Sequence, residues 1–115
     1  MNKLAIDNKK DMNYYENMDI NSIPIKYRQD IETATNLLKK EGCKTIYLFG
    51  SLVTGKIQED SDIDIGISGL PAKKYFTIYS KLDSNLSNKF DLVDFDVSRD
   101  FYNLLKSLNE VIEIG

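Results

Sequence analysis

Hydrophobic and polar positions change period several times along this chain, and each change marks an expected element. Beyond Pro24, Ile31, Ala34, Leu37 and Leu38 fall at i, i+3, i+6 and i+7, and Lys39, Lys40 and Gly42 compose a helix ending, which predicts a helix between Pro24 and Gly42. The β-branched and aromatic run Lys44–Phe49 predicts a first strand that delivers the chain to Gly50-Ser51, and Leu52–Lys56 reads as one or two helical turns closed by Gly55. Ile63, Ile65 and Ile67 then alternate with polar positions, the period-2 pattern of a half-buried strand. Gly69-Leu70-Pro71 breaks it. Tyr75, Phe76, Tyr79 and Leu82 recur at helical spacing between Ala72 and Leu86 and are expected in the core. Lys89–Val97 reads as a third strand. Ser98 begins a helix through Asn109, with Phe101, Leu104, Leu105 and Leu108 expected to face inward, and Val111–Ile114 makes a last short strand. The expected fold is α+β: a mixed four-stranded sheet with helices packed mainly on one side.

Within this frame the chemistry collects at two places. Asp62 and Asp64 lie two residues apart on a strand, so both point the same way with Cα atoms roughly 7 Å apart, while the isoleucines between and beyond them face a core. Two carboxylates on one face make a cation site. At the preceding turn Gly50 tolerates a positive φ and close approach, and Ser51 is placed to cap a helical turn whose N–H groups favour an anion. A phosphate cradle and paired carboxylates together suit a metal-bound nucleoside triphosphate. Asp60-Ser61-Asp62-Ile63-Asp64 also opens like a calcium-binding EF-hand loop, but Gly66 falls one place late, Pro71 stands where the bidentate Glu belongs, and the isoleucines favour a strand.

Composition narrows the classes further. At 115 residues the chain suits one domain, residues 22–115, preceded by an Asn-, Asp- and Lys-rich arm, residues 1–21, whose Tyr14, Tyr15 and Met18 form a candidate docking patch. The net charge of −3 argues against a basic surface for double-stranded nucleic acid. With no His and one Cys, the chain lacks histidine-based catalysis, an internal disulfide and most zinc geometries. Any catalysis must therefore run on carboxylates and metal. Cys43 reads as a small buried hydrophobe, and Arg28, Asp30 and Glu32 as a solvated helix face. The apolar runs are far too short for a membrane span, and the polar N-terminus has no signal-peptide core, so a cytoplasmic location is expected.

Gly50-Ser51 followed by Asp62-Ile63-Asp64 in an apolar strand resembles the signature of the DNA polymerase β-type nucleotidyltransferase superfamily, glycine-serine and then aspartate-hydrophobic-aspartate. Within it the chain is similar to the minimal nucleotidyltransferases that pair with HEPN-domain toxins. The resemblance implies ATP as donor, two Mg²⁺ ions held by Asp62, Asp64 and a third carboxylate, and a triphosphate held at Gly50 and Ser51. Asp91-Leu92-Val93 matches the aspartate and two aliphatics that supply the third carboxylate, with Asp94 as the substitute. Thr54 stands where many relatives carry a basic residue, which leaves Lys56 as the nearest candidate cation. The implied reaction moves AMP onto a hydroxyl of a HEPN-type partner protein, silencing a toxin. Two other readings remain beside it: a catalytically silent nucleotide- or partner-binding antitoxin, for which Thr54 is the best argument, and a transferase for a small aminoglycoside-like acceptor held between subunits of a homo-oligomer.

Overall fold

The computed structural model of the protein describes residues 22–115; the arm with Tyr14, Tyr15 and Met18 lies outside them. In chain order the elements are helix α1 (Ile25–Lys40), strand β1 (Thr45–Phe49), the one-turn helix α2 (Ser51–Thr54), strand β2 (Ile63–Ser68), helix α3 (Tyr75–Asn85), strand β3 (Phe90–Asp94), helix α4 (Arg99–Ser107) and strand β4 (Val111–Glu113). A 3₁₀ turn over Ala72–Lys74 leads into α3.

The strands form one mixed sheet in the order β3-β2-β1-β4. The β1–β2 and β1–β4 pairs are antiparallel and the β2–β3 pair is parallel. Antiparallel neighbours need only short links, whereas a parallel pair needs a crossover, which α3 supplies between β2 and β3.

Strand alternation gives the sheet two unlike faces. On one, Ile46, Leu48, Ile63, Ile65, Ile67 and Leu92 meet Ile31, Ala34 and Leu38 of α1 and Ile78 and Leu82 of α3 in the main core. Each isoleucine and leucine of this layer contributes roughly 1.5–3 kcal/mol on burial, so the layer holds the fold. On the other face a smaller cluster joins Phe49, Phe95, Leu105 and Val111 under α4. Gly66 belongs to that second face, and a Cβ there would overlap the Phe95 ring, which is why a glycine interrupts an otherwise β-branched strand.

The expected α+β architecture is present, and several details differ from the sequence reading. β3 ends at Asp94, because Phe95 turns over Gly66 and the chain begins a turn in which Val97 and Ser98 donate to the Asp94 carbonyl. Phe76 is 82% exposed and Tyr79 partly so; the edge of β3 is covered by Tyr79 stacked on Phe90 and by Tyr75, whose hydroxyl donates to the Leu92 carbonyl. On α4 only Leu105 is buried, while Phe101, Leu104 and Leu108 keep substantial exposure, since one short helix cannot turn both apolar stripes to the sheet.

Asp30 is not on a solvated face but buried, and its carboxylate accepts from the Ser87 N–H, the Asn88 N–H and the Asn88 side-chain amide. It ties α1 to the loop that introduces β3. Cys43 is buried, as expected, with its thiol donating to the Thr45 and Ser68 carbonyls. No helix among the described residues is long and apolar enough to cross a membrane.

Candidate active site

At one end of the second face, register places Phe49, Asp64 and Asp91 in a row across β1, β2 and β3. Asp62 stands just ahead of β2 and within electrostatic range of Asp64. Asp64 is half-buried, Asp62 is partly open and Asp91 is exposed. The Asp64 and Asp91 carboxyl groups lie close enough to interact directly. Burial, then the charges of Asp91 and Asp62, push the Asp64 carboxyl up to about 6. Asp94 pairs with Ile67, three rungs further along the ladder, and accepts the Asp96 N–H, so it is the removed member of the acid set.

Gly50 closes over this row. Its φ of 75° and ψ of −151° are backbone that side chains rarely adopt, and a Cβ would overlap the Asp64 carboxylate. The turn thus brings bare backbone onto the central acid. Gly50, rather than Ser51, occupies the cap position: Val53 and Thr54 donate to its carbonyl, and Ser51 is the first helical residue, without a side-chain capping bond. The Ser51 and Leu52 N–H groups precede the first of those bonds, at the end of a helical turn that favours negative charge. Gly55 ends α2 in the left-handed region, and the exposed Lys56 follows, its N–H on the Thr54 hydroxyl oxygen at 3.4 Å.

A family model described as polymerase beta, nucleotidyltransferase matches residues 32–112. The chain belongs to that family. Among solved structures it is similar to a mutant of the MntA-HpeT toxin-antitoxin, with 27% identity and a TM-score of 0.57 over 74% of this chain and 71% of that one. It is also similar to the MntA-HepT toxin-antitoxin, with 24% identity and a TM-score of 0.53 over 75% of this chain and 69% of that one. A toxin-antitoxin solved with AMP-PNP shares 33% identity at a TM-score of 0.47, and the match spans 59% of this chain and 56% of that one. Curated protein sequences give no match.

For a polymerase β-family nucleotidyltransferase the donor set is the right kind: hard carboxylate oxygens, which suit Mg²⁺. Asp64, held up to about 6 by burial and then by the charges of Asp91 and Asp62, is a carboxyl whose ionised form a divalent cation would favour. Among the described residues no three acidic side chains already converge as a finished metal cage; the gathered unit is the Asp64–Asp91 pair with Asp62 beside it.

Two features of the site were not anticipated. One is the aromatic wall, in which Phe49 packs on Phe95 at 5.6 Å and on Phe101 at 5.5 Å between ring centroids, beside the acid row. The other is the seating of Phe95 on Gly66, for which a glycine inside a strand was the available signal.

Proposed function

We propose that the protein is an Mg²⁺-dependent adenylyltransferase that moves AMP from ATP onto a hydroxyl of a HEPN-type toxin and so acts as its antitoxin. The observation that carries this reading is the Asp64–Asp91 pair beneath Gly50, in a family whose members transfer nucleotides. The likeness to an MntA-HpeT toxin-antitoxin supports the choice of a protein acceptor.

Asp62, Asp64 and Asp91 would hold two Mg²⁺ ions, and Gly50, Ser51 and Lys56 would face the triphosphate. Bound metal supplies Lewis-acid polarisation of the phosphoryl oxygens and lowers the pKa of a coordinated hydroxyl. The chain's own groups do the rest. Gly50 leaves room for the Asp64 carboxylate directly under the turn because it has no Cβ, and the Ser51 end of α2 opposes the charge of the phosphate chain. The acceptor oxygen bonds to the α-phosphorus, the bond to the bridging oxygen breaks, and pyrophosphate leaves. The hydroxyl proton passes to a site carboxylate, for which Asp91, the more open of the pair, is the accessible oxygen.

The test is incubation with Mg²⁺, α-labelled ATP and the HEPN-type protein, read by intact mass. One or more AMP additions to the partner are expected, and none with Asp62→Asn plus Asp64→Asn. Undiminished transfer by that double variant refutes the reading. Thr54, uncharged where many relatives carry a base, favours a second reading, a silent module that neutralises its partner by contact. Full neutralisation by the same double variant would select it.

A further inference from the structure

Asp62 differs from the other two acids of the site in how the fold holds it. Asp64 and Asp91 lie within β2 and β3 and are paired across the ladder, whereas β2 begins at Ile63, one residue after Asp62. Strand pairing therefore holds Asp62 from one side, through the Ile63 N–H, which donates to the Lys89 carbonyl at 2.9 Å. A peptide unit is planar, so the direction of a side chain is set once the peptide planes before and after its Cα are both held. The plane after Asp62 belongs to the ladder. The plane before it contains the Ser61 carbonyl, and that oxygen accepts a hydrogen bond from the Tyr27 hydroxyl at 3.0 Å.

Tyr27 is 1% exposed and packs in the main core, where a phenylalanine would bury the same ring without a polar atom to satisfy. The turn that leads to Asp62 is closed on itself: the Ser61 N–H donates to the Gln58 carbonyl, and the Gln58 N–H donates to the Ser61 hydroxyl oxygen. Such a turn can shift as a unit unless something outside it holds it. It is tied to α1 by the bond from Tyr27 and by an exposed one from Lys26 Nζ to the Glu59 carbonyl, where water competes.

One helical turn further along the same face of α1, Asp30 holds the Ser87 and Asn88 N–H groups, and with them the loop that brings the Lys89 carbonyl to Ile63. Both peptide planes around Asp62 thus trace back to α1. A polar hollow of about 220 Å³ lies between the two loops, lined by Lys26, Ser61, Ser87 and Lys89 among others. Packed side chains do not fill that space, so hydrogen bonds set the spacing of the loops.

We infer that Tyr27 is a positioning residue of the site: its hydroxyl fixes the peptide before Asp62 and so aims that carboxylate at the cation shared with Asp64 and Asp91, an inference that rests on the metal-dependent function proposed above. The ring holds the core and the hydroxyl serves the acids.

The test is titration of the full chain with Mn²⁺ alone, a paramagnetic ion that takes the same hard oxygen ligands as Mg²⁺, read by loss of the free-ion resonance signal. Tyr27→Phe should weaken binding about tenfold, the lower end of what the loss of a ligand's supporting partner costs. Thr35→Val removes a hydroxyl from the same helix, where it bonds back to the Ile31 carbonyl, and should leave the affinity unchanged. In an Asp62→Asn background Tyr27→Phe should cost no further affinity, a coupling that a general loss of stability does not produce. Wild-type affinity in Tyr27→Phe, equal weakening by Thr35→Val, additive losses in the double variant, or no Mn²⁺ bound by wild type would each overturn the inference. Mn²⁺ binding that depends on Tyr27 through Asp62, without AMP transfer, upholds the positioning role and refutes the reaction. AMP transfer that requires Asp62 and Asp64, with transfer and Mn²⁺ affinity unchanged by Tyr27→Phe, does the reverse.

Discussion

Asp64→Asn should stabilise the metal-free protein while abolishing AMP transfer. The folded chain keeps the Asp64 proton to about pH 6, whereas the ordinary carboxyl loses it near 3.8. The folded state therefore binds more protons than the unfolded chain across that window. Stability is fullest below it, falls as pH rises through it, and the whole cost is present above about pH 6. At 1.36 kcal/mol per pH unit the difference corresponds to about 3 kcal/mol, and because the carboxyl is only half-buried, solvent screening reduces this to about 1 kcal/mol.

Asparagine keeps the shape and removes the charge. In EDTA at about pH 8 the variant should melt about 4–8 °C above wild type, the shift about 1 kcal/mol produces in a domain of this size. The gap should close on acidification to about pH 4, where wild-type Asp64 is also neutral. Saturating Mg²⁺ should raise the melting temperature of wild type and leave the variant nearly unmoved. A variant that melts at or below wild type at the higher pH, or a gap indifferent to pH, refutes the view that the acid row is held at a cost to the fold.

Two further substitutions probe the scaffold behind the row. Gly66→Ala sets a Cβ into the ring of Phe95, which is 1% exposed and cannot swing aside, so a loss of about 1–3 kcal/mol is expected in urea unfolding. Phe95→Leu should recover part of it in a double-mutant cycle; strictly additive losses would count against the overlap. Asp30→Ala leaves the Ser87 and Asn88 N–H groups without their acceptor and should cost roughly 2–4 kcal/mol. Hydrogen exchange at those two amides should accelerate more than at Ile63 or Ile65, and equal acceleration everywhere would mean that the loop is not what Asp30 holds.

What the sequence disclosed and what it withheld divide along a physical line. The sheet was legible because isoleucines and carboxylates alternating over Asp62–Ile67 have one arrangement that buries the former and leaves the latter accessible. Gly50 was legible because a glycine between a strand and a short helix signals backbone that other residues resist, and its φ of 75° bears that out. The neighbourhood of Asp91 and Asp64 was expected only through the family resemblance, since parallel pairing of β2 and β3 is set by a crossover, not by local pattern.

Helical faces misled. Period alone shows that Phe101, Leu104, Leu105 and Leu108 are apolar, and it does not say which of two apolar stripes meets the sheet. Phe95 decided that. By lying over Gly66 it fills the second face with one large ring, and α4 then needs only Leu105 and Tyr102 to close the cluster. The remaining stripe, Phe101, Leu104 and Leu108, is apolar without being needed for the core.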